Sequence, residues 1–295
     1  MSDTSHLLPE VEQALCLEVG ERIEFCRQDR WVGYTRAIQI LEQLDDLLTY
    51  PKSLRMPNLL VVGRSGNGKS SLIERFTNRH HIQARPTGTP IIPILSIEMP
   101  EVPTESELWS LILLALGISH RERDPAHIKK RQAKSVLGYA EVRVLVIDEF
   151  NNLTRAGKHA GALLSAIKGL SNDLKLSIVA AGTQEAVNAL NSDPQMQSRF
   201  QPAVLDRWKL DREYLKFLAS YERLLPLQRP SNLASREIAP LIHGMAGDTI
   251  GAAVKLIKAA AVHAIKTNAE KIDANVLGSV NWVRVDQWAE VGRRA

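Results

Sequence analysis

A glycine-rich segment that ends in lysine and serine carries the strongest chemical signal of this sequence. Residues 63–70 read Gly-Arg-Ser-Gly-Asn-Gly-Lys-Ser and satisfy the pattern G-x-x-x-x-G-K-[ST]. In this pattern backbone N–H groups wrap phosphates at a helix N-terminus, the lysine reaches the β- and γ-phosphates, and the hydroxyl ligates Mg²⁺. The residues predicted to bind ATP in this way are Gly63, Arg64, Ser65, Gly66, Asn67, Gly68, Lys69, Ser70 and Ser71. A glycine-rich turn without a ligand is the alternative.

Two adjacent acids follow an apolar run further along the chain. Four apolar residues, Val144 to Ile147, lead into Asp148 and Glu149, and Asp148 lies 79 residues beyond Lys69. Asp148 at the end of a strand would hold Mg²⁺ through water, and Glu149 would orient and deprotonate the attacking water. Strands often end in acidic residues, so this interpretation depends on the glycine-rich segment before it.

Thr183 and Arg199 are two further candidates for contacts with phosphate. Thr183 follows an apolar run at the point where ligands bind in open α/β sheets, although a helix N-cap would use the same residue type. Arg199 comes after the next predicted helix and could stabilise charge on a phosphate bound by a neighbouring subunit. A surface arginine or an intrachain ion pair is the alternative for Arg199.

Strands alternate with helices over the segment that must position these residues. The apolar runs predicted as strands are Asn58 to Gly63, Ile91 to Ile97 with an irregularity at Pro93, Val142 to Ile147, and Leu176 to Ala181. Helices are predicted between them, including Ser70 to Arg79 and Glu105 to Leu116, the latter opened by a capping box at Thr104. Continuous apolar runs are typical of parallel strands buried on both faces. The pattern therefore predicts an α/β core with a parallel sheet flanked by helices.

Helical periodicity dominates on both sides of this core. After about Pro202 the strand-like runs stop, and the remaining segments are helical in pattern. We expect four parts: a helical lead-in at 1–50, the α/β core at 51–203, a small all-helical domain at 204–285 and a tail at 286–295.

Composition and charge limit the class of protein. The chain has 295 residues with 44% hydrophobic and 24% charged residues, which is ordinary for a folded globular protein. Cys16 and Cys26 have no metal-binding spacing, no apolar run is long enough for a membrane span, and the first residues do not resemble a signal peptide. We expect a cytoplasmic protein with no membrane partner.

The excess positive charge is concentrated in residues 119–134. This segment has two acidic residues, and its six cations are Arg121, Arg123, Lys129, Lys130, Arg131 and Lys134. The excess of four equals the net charge of the whole chain, +4. Such a cluster is a candidate surface for the DNA backbone, with Arg121, Lys129, Lys130 and Arg131 as the predicted contacts. A solvated helix face is the alternative.

Trp31 and Tyr34 precede the helix that leads into the core. Adenine commonly needs a flat apolar surface, so these rings could lie near the base. Core or interface packing is the alternative for both.

These motifs, in this order and followed by a helical domain, resemble the AAA+ ATPase pattern. Residues 63–70 resemble Walker A, residues 144–149 Walker B, Thr183 sensor 1 and Arg199 the arginine finger. More narrowly, residues 27–34 (RQDRWVGY) and 55–58 (RMPN) resemble the TniB family of transposition ATPases, relatives of TnsC and more distantly MuB. The sequence departs from the wider pattern at residues 247–251 (GDTIG), where many relatives carry a sensor 2 arginine and the nearest cation is Lys255.

The resemblance implies a DNA transposition accessory protein that uses ATP and Mg²⁺. ATP-bound subunits would self-assemble on double-stranded DNA, mark a target site and recruit a DDE transposase of the TniA or TnsB type, with a TniQ-like protein as a further partner. Hydrolysis would reset the assembly. An ATPase that remodels or loads protein partners without binding DNA is the alternative. A non-hydrolysing switch is a third possibility, which Glu149 disfavours because it supplies a candidate base.

Overall fold

The chain forms two compact units in a computed structural model that describes residues 5–86 and 90–284. The α/β unit comprises Arg36–Asp206, and the helical unit comprises Met1–Thr35 together with Arg207–Ala295. The first helices of the chain therefore group with the C-terminal helices. The domain boundaries drawn from the sequence stay predictions, and the predicted tail at 286–295 lies outside the described residues.

Among the described residues, helices alternate with strands in the α/β unit and helices alone form the other unit. The α-helices of the described residues are α1 Pro9–Ala14, α2 Val19–Arg27, α3 Thr35–Thr49, α4 Lys69–Arg79, α5 Glu105–Ala115, α6 Ala126–Tyr139, α7 Ala160–Leu174, α8 Gln184–Asn191, α9 Pro194–Gln197, α10 Arg212–Glu222, α11 Ile238–Ala246, α12 Ile250–Lys266 and α13 Ala274–Ser279. The strands are β1 Asn58–Gly63, β2 Gln83–Ala84, β3 Pro90–Ile91, β4 Ile94–Glu98, β5 Val144–Asp148, β6 Ser177–Gly182 and β7 Phe200–Leu205. A 3₁₀ segment, Phe150–His159, follows β5.

A parallel sheet in the order β4-β5-β6-β1-β7 forms the centre of the α/β unit. Every residue of β1 and β6 is buried, as are the first four residues of β5. Helices cover both faces of such strands, which explains why the sequence shows continuous apolar runs here. The predicted fold class, an α/β core with a parallel sheet flanked by helices, is confirmed.

The strand β7 is a finding that the sequence pattern did not predict. It pairs with β1 from Asn58↔Phe200 to Gly63↔Leu205 and forms one edge of the sheet. Buried residues alternate with exposed ones in the second half of β7. The strand also contains Pro202, which has no N–H group and is tolerated because β7 lies at the edge of the sheet. The segment around Pro202, after which the sequence shows no further strand-like run, therefore belongs to the sheet.

The strand β4 forms the other edge, and its start explains the predicted irregularity. The predicted strand at 91–97 divides into β3 and β4 around Pro93, whose carbonyl accepts hydrogen bonds from the N–H groups of Arg143 and Val144 at 2.9 and 3.1 Å. The helix α5 then begins at the predicted capping box, in which Thr104 and Glu107 bond reciprocally.

The helical unit has its own apolar core, formed mainly by α2, α10, α11 and α12. A buried ion pair crosses this core: both oxygens of Glu270 accept hydrogen bonds from the guanidinium of Arg22, at 3.0 and 2.7 Å. The carbonyl of Pro226 accepts a further bond from Arg22 at 2.7 Å. Within the described ranges, no helix combines the length and apolar character that a membrane crossing requires.

Candidate nucleotide-binding site

The glycine-rich segment joins β1 to α4 at the carboxyl edge of the sheet. Gly66 and Gly68 have φ angles of 73° and 86°, in the left-handed region that glycine adopts without strain. Gly68 is the N-cap of α4 and provides no side-chain cap, so the N–H groups of the first helical turn are free to bind an anion. The segment has the backbone conformation that a phosphate loop requires, and contacts of residues 63–71 with ATP stay predictions.

The loop is held close to the edge strand β7. A Cβ atom on Gly63 would lie 3.1 Å from the Cβ of Leu205, which leaves no comfortable space for a side chain. Asn67 is 1% exposed, and its amide donates to the carbonyls of Leu205 and Asp206 at 3.0 and 2.8 Å. The side chain of Asn67 therefore anchors the loop to β7, which the sequence motif alone did not indicate.

Lys69 lies inside the loop with its ammonium on backbone carbonyls. The side chain is 7% exposed, and Nζ donates to the carbonyl oxygens of Gly63 and Arg64 at 2.9 and 3.1 Å. Burial lowers the pKa of Lys69 from its ordinary value of 10.5, while the negative charges of Glu149 and Asp148 act in the opposite direction. A phosphate at this position would exchange two neutral carbonyl partners for charged oxygens.

Ser70 and Asp148 meet across the sheet. The hydroxyl of Ser70 donates to Oδ2 of Asp148 at 3.0 Å, and Oδ1 of Asp148 accepts the N–H of Glu149 at 2.8 Å. A hydroxyl and a carboxylate side by side form the partial oxygen ligand set that Mg²⁺ uses beside phosphates, with water at its other positions. No cluster of three or more His, Cys, Asp or Glu side chains suited to a metal occurs in residues 5–86 and 90–284. The side chains at this position fit Mg²⁺ bound together with a nucleotide.

Glu149 has an unusual backbone conformation and a defined side-chain partner. Its φ angle of 50° lies in the left-handed region, which non-glycine residues rarely adopt and which often marks functional sites. Oε2 of Glu149 accepts a hydrogen bond from Nδ2 of Asn151 at 3.0 Å. Asn151 is a functional candidate that no sequence motif indicated, although an amide two residues after the proposed base is visible in the sequence.

Thr183 and Arg199 have structural partners within the α/β unit. Oγ1 of Thr183 accepts the N–H of Glu185 at 3.4 Å and caps α8, and Nη1 of Arg199 donates to Oδ1 of Asn172 at 2.7 Å. Thr183 stands directly after β6, which neighbours both β1 and β5, so it lies at the edge where Lys69 and Asp148 also lie. Contacts of Thr183 and Arg199 with phosphate stay predictions.

The aromatic residues before α3 lie in the helical unit. The ring of Tyr34 packs edge-on against Trp208, with 4.8 Å between the centroids, and also contacts Phe217. Trp31 is half-buried, and Lys255 is exposed near the start of α12. Tyr34 therefore packs in the core of the helical unit, as the alternative to an adenine contact proposed. An adenine contact of Trp31 and a sensor 2 role of Lys255 stay predictions.

The structure corrects the expectation for Lys129 in the basic cluster. Lys129 is 3% exposed, and its ammonium donates to Oγ of Ser106 at 3.1 Å and to the carbonyl of Glu122 at 2.8 Å. A buried ammonium with both bonds inside the protein is not placed to contact a DNA phosphate. Lys129 instead stabilises the approach of α6 to α5.

The other cations of the cluster differ in their surroundings. Lys130 pairs with Glu105 at 3.6 Å and lies over the ring of Trp109, and Lys134 pairs with Asp173. The exposed arginines of the cluster are Arg121, Arg123 and Arg131. DNA contacts of the exposed Arg121 and Arg131 and of the partly exposed Lys130 stay predictions.

Comparisons with known proteins agree with this geometry. Residues 22–210 match the family model described as "Bacterial TniB protein". The chain is 25% identical over 197 residues to "Chaperone protein ClpB" of Meiothermus ruber. The aligned residues make up 66% of this chain and 21% of ClpB. The chain thus spans about a fifth of the length of that relative.

Solved structures share the fold at low sequence identity. The Aeropyrum pernix ORC2 protein in ADPNP-ADP complexes has a TM-score of 0.63 at 16% identity, covering 86% of this chain and 70% of that one. The Aeropyrum pernix ORC1 protein in complex with DNA has a TM-score of 0.62 at 16% identity, and the match covers 92% of this chain and 69% of that one. The Thermotoga maritima RuvB Holliday junction branch migration motor has a TM-score of 0.54 at 16% identity, and the match covers 87% of this chain and 72% of that one. These likenesses establish the fold.

Proposed function

This chain belongs to the bacterial TniB protein family of AAA+ ATPases, and we propose that it binds and hydrolyses Mg-ATP to control its assembly on DNA in transposition. The observation that carries the proposal is the meeting of Ser70 with Asp148 beside the buried Lys69. A triphosphate requires hydrogen-bond donors, a cation and ligands for its metal ion. The loop and the helix N-terminus supply the donors, Lys69 supplies the cation, and Ser70 and Asp148 supply the metal ligands.

Each of these side chains has a defined task in the proposed reaction. Lys69 gives up its bonds to the carbonyls of Gly63 and Arg64 and binds phosphate oxygens. Ser70 and Asp148 hold Mg²⁺, which when bound offsets the charge that develops on the phosphates. Glu149 takes the proton of the attacking water, and Thr183 orients the same water or the γ-phosphate. Arg199 acts on the nucleotide of a neighbouring subunit.

DNA is the proposed substrate for assembly. Arg121, Arg123 and Arg131 are exposed and provide charges for phosphate contacts. The likeness to an ORC1 protein solved with DNA and to a branch migration motor supports this choice. ATP-bound subunits assemble on double-stranded DNA, recruit a DDE transposase together with a TniQ-like protein, and disassemble after hydrolysis. A bacterial cytoplasm is the proposed location.

A protein-remodelling ATPase without a DNA role is the second candidate. The observation that favours it is the 25% identity to a chaperone, ClpB, over residues that make up 66% of this chain. The basic cluster would then be a solvated surface. The first candidate binds DNA in a nucleotide-dependent way, whereas the second does not bind DNA.

Electrophoretic mobility of a DNA duplex separates the two candidates. We expect a shift with a non-hydrolysable ATP analogue, less with ADP, and a loss of binding as salt rises, because phosphate contacts release counterions. Replacing Arg121, Arg123 and Arg131 by alanine should weaken the shift. Replacing the exposed Arg75, Arg236 and Lys266 removes the same charge elsewhere and is the control. No shift under any nucleotide condition would favour the remodelling candidate.

A further inference from the structure

Asn151 lies between the proposed base and the neighbouring strand. Nδ2 of Asn151 donates to Oε2 of Glu149 at 3.0 Å and lies 3.4 Å from Oδ1 of Asn152. Oδ1 of Asn151 is buried and has no hydrogen-bond partner among the described residues. Leaving a buried carbonyl oxygen unsatisfied costs about 1–3 kcal/mol, so this arrangement needs a compensating reason.

The segment that carries Asn151 is fixed at several points. Nδ2 of Asn152 donates to the carbonyl of Met99, just after β4, at 2.9 Å. The N–H of Met99 in turn donates to the carbonyl of Asp148 at 2.9 Å, and Oγ1 of Thr154 donates to the carbonyl of Asn151 at 2.8 Å. These bonds connect the edge strand to the acidic pair and hold the backbone of Asn151 and Asn152 in place relative to it.

Gly182 leaves the space that this amide occupies. A Cβ atom on Gly182 would lie 3.0 Å from Oδ1 and 3.2 Å from the backbone nitrogen of Asn151, and 2.7 Å from the Cβ of Ala186. Gly182 is the last residue of β6 and directly precedes Thr183. A Cβ atom at position 182 would therefore require both Ala186 and the Asn151 amide to shift.

We propose that Asn151 is a positioning residue for hydrolysis, and that Gly182 is glycine so that Asn151 can reach Glu149. Asn151 holds Oε2 of Glu149 by one hydrogen bond, which leaves Oε1 to accept the proton of the attacking water. The bond also stabilises the left-handed turn of Glu149, since it ties the side chain to the segment that follows. This role rests on the proposed ATP hydrolysis and concerns the same site.

Steady-state hydrolysis by three variants of the full chain tests the role of Asn151. Asn151→Ala removes the amide, Asn151→Asp keeps its shape but removes the N–H donor, and Arg155→Ala changes an exposed side chain of the same segment as a control. We expect both Asn151 variants to lower kcat by roughly 10- to 100-fold, because a displaced base is poorly aligned. The KM for ATP and the affinity for a fluorescent ATP analogue should stay within about twofold, because Asn151 is not a predicted phosphate contact.

The comparison of the two Asn151 variants separates positioning from packing. If Asn151→Asp keeps the kcat of the parent, shape alone matters and the proposal is wrong. An increase in kcat, or a parallel loss of nucleotide affinity, also overturns it. If Asn151→Ala lowers the melting temperature strongly, the isosteric Asn151→Asp decides. A parent that binds ATP but does not hydrolyse it defeats the proposed hydrolysis as well, whereas an active parent with unaffected variants defeats only this role.

The role of Gly182 is tested in a variant in which the contact with Ala186 is removed at the same time. Gly182→Ala combined with Ala186→Gly removes the contact with the Ala186 methyl group, which leaves Asn151 with the shortest remaining contacts to the added methyl at 182. This double variant should reproduce the loss of kcat seen with Asn151→Ala, while Ala186→Gly alone should not. A fully active double variant would contradict the space argument.

Discussion

The hydroxyl of Ser70 lies 3.0 Å from Oδ2 of Asp148, although 78 positions separate the two residues in the chain. The contact joins the first turn of α4 to the end of β5, two elements that are not neighbours in sequence. It brings the two proposed Mg²⁺ ligands together at the carboxyl edge of the sheet. Several consequences for metal and nucleotide dependence can be measured.

Removing the hydroxyl of Ser70 should weaken the use of Mg²⁺. We expect Ser70→Ala to raise the Mg²⁺ concentration for half-maximal ATP hydrolysis by roughly 10-fold or more, because one oxygen ligand and the partner of Asp148 are lost. Ser70→Thr keeps the hydroxyl and is the matched control. Identical Mg²⁺ titrations of the alanine variant and the parent would contradict the assignment.

Binding and hydrolysis should separate between Glu149 and Lys69. Glu149→Gln should bind ATP like the parent and trap the assembled state, while hydrolysis falls by roughly 10²- to 10⁴-fold because the base is lost. Lys69→Ala should lose nucleotide affinity. Calorimetric titration with ATP and a phosphate-release assay measure the two effects. Turnover by Glu149→Gln at the parent rate would show that another group is the base.

Arg199 should act between subunits. Arg199→Ala and Lys69→Ala subunits are each expected to be inactive, but their mixture should recover part of the ATPase activity if an arginine of one subunit serves the site of the next. The bond of Arg199 to Asn172 gives a control, since Asn172→Ala removes this partner and leaves the arginine in place. A mixture as inactive as its components would argue for an intrachain role.

Breaking the buried ion pair of the helical unit should destabilise that unit. Glu270→Gln or Arg22→Met leaves one charge buried without its partner and should reduce the free energy of unfolding by about 3–5 kcal/mol. The double variant should recover much of this loss, because no isolated charge remains. Urea titration followed by fluorescence measures the change. Lys216→Ala, at an exposed ion pair, is the control; equal midpoints for all variants would refute the argument.

The two cysteines should differ in reactivity and in pH dependence. Burial raises the pKa of Cys26 from its ordinary value of 9.0 to about 11, whereas Cys16 is exposed. At pH 8 iodoacetamide should therefore alkylate Cys16 rapidly and Cys26 only after denaturation, because the thiolate is the nucleophile. Since the folded pKa is the higher one, the stability from a neutral Cys26 is present below pH 9 and is lost as the pH rises towards 11. Peptide mass mapping at several pH values measures the labelling of each cysteine. Equal labelling of Cys16 and Cys26 in the folded protein would contradict the burial of Cys26.

The accuracy of sequence-based prediction differed between elements for identifiable reasons. The strands β1, β5 and β6 were predictable because burial on both faces produces continuous apolar runs. The strand β7 was not predictable, since Pro202 and its partly exposed pattern resemble a loop when no neighbour is known. Lys129 was misjudged because a charge cluster gives no information about which side of a helix faces the protein.

Local chemistry was determined by the sequence itself. The order of glycines, lysine and serine at 63–70 requires a loop before a helix, and the apolar run before Asp148 requires a strand that ends in acids. Such features depend on backbone conformation and on residues a few positions apart, so the family resemblance and the α/β core followed from them. The tertiary structure alone decided which distant groups meet. The sheet order places β6 beside β5, so Asn151 lies over Gly182, and it places β7 beside β1, so Asn67 anchors the phosphate loop. Strand pairing is a long-range choice made by burial of the whole sheet, and no local pattern encodes it.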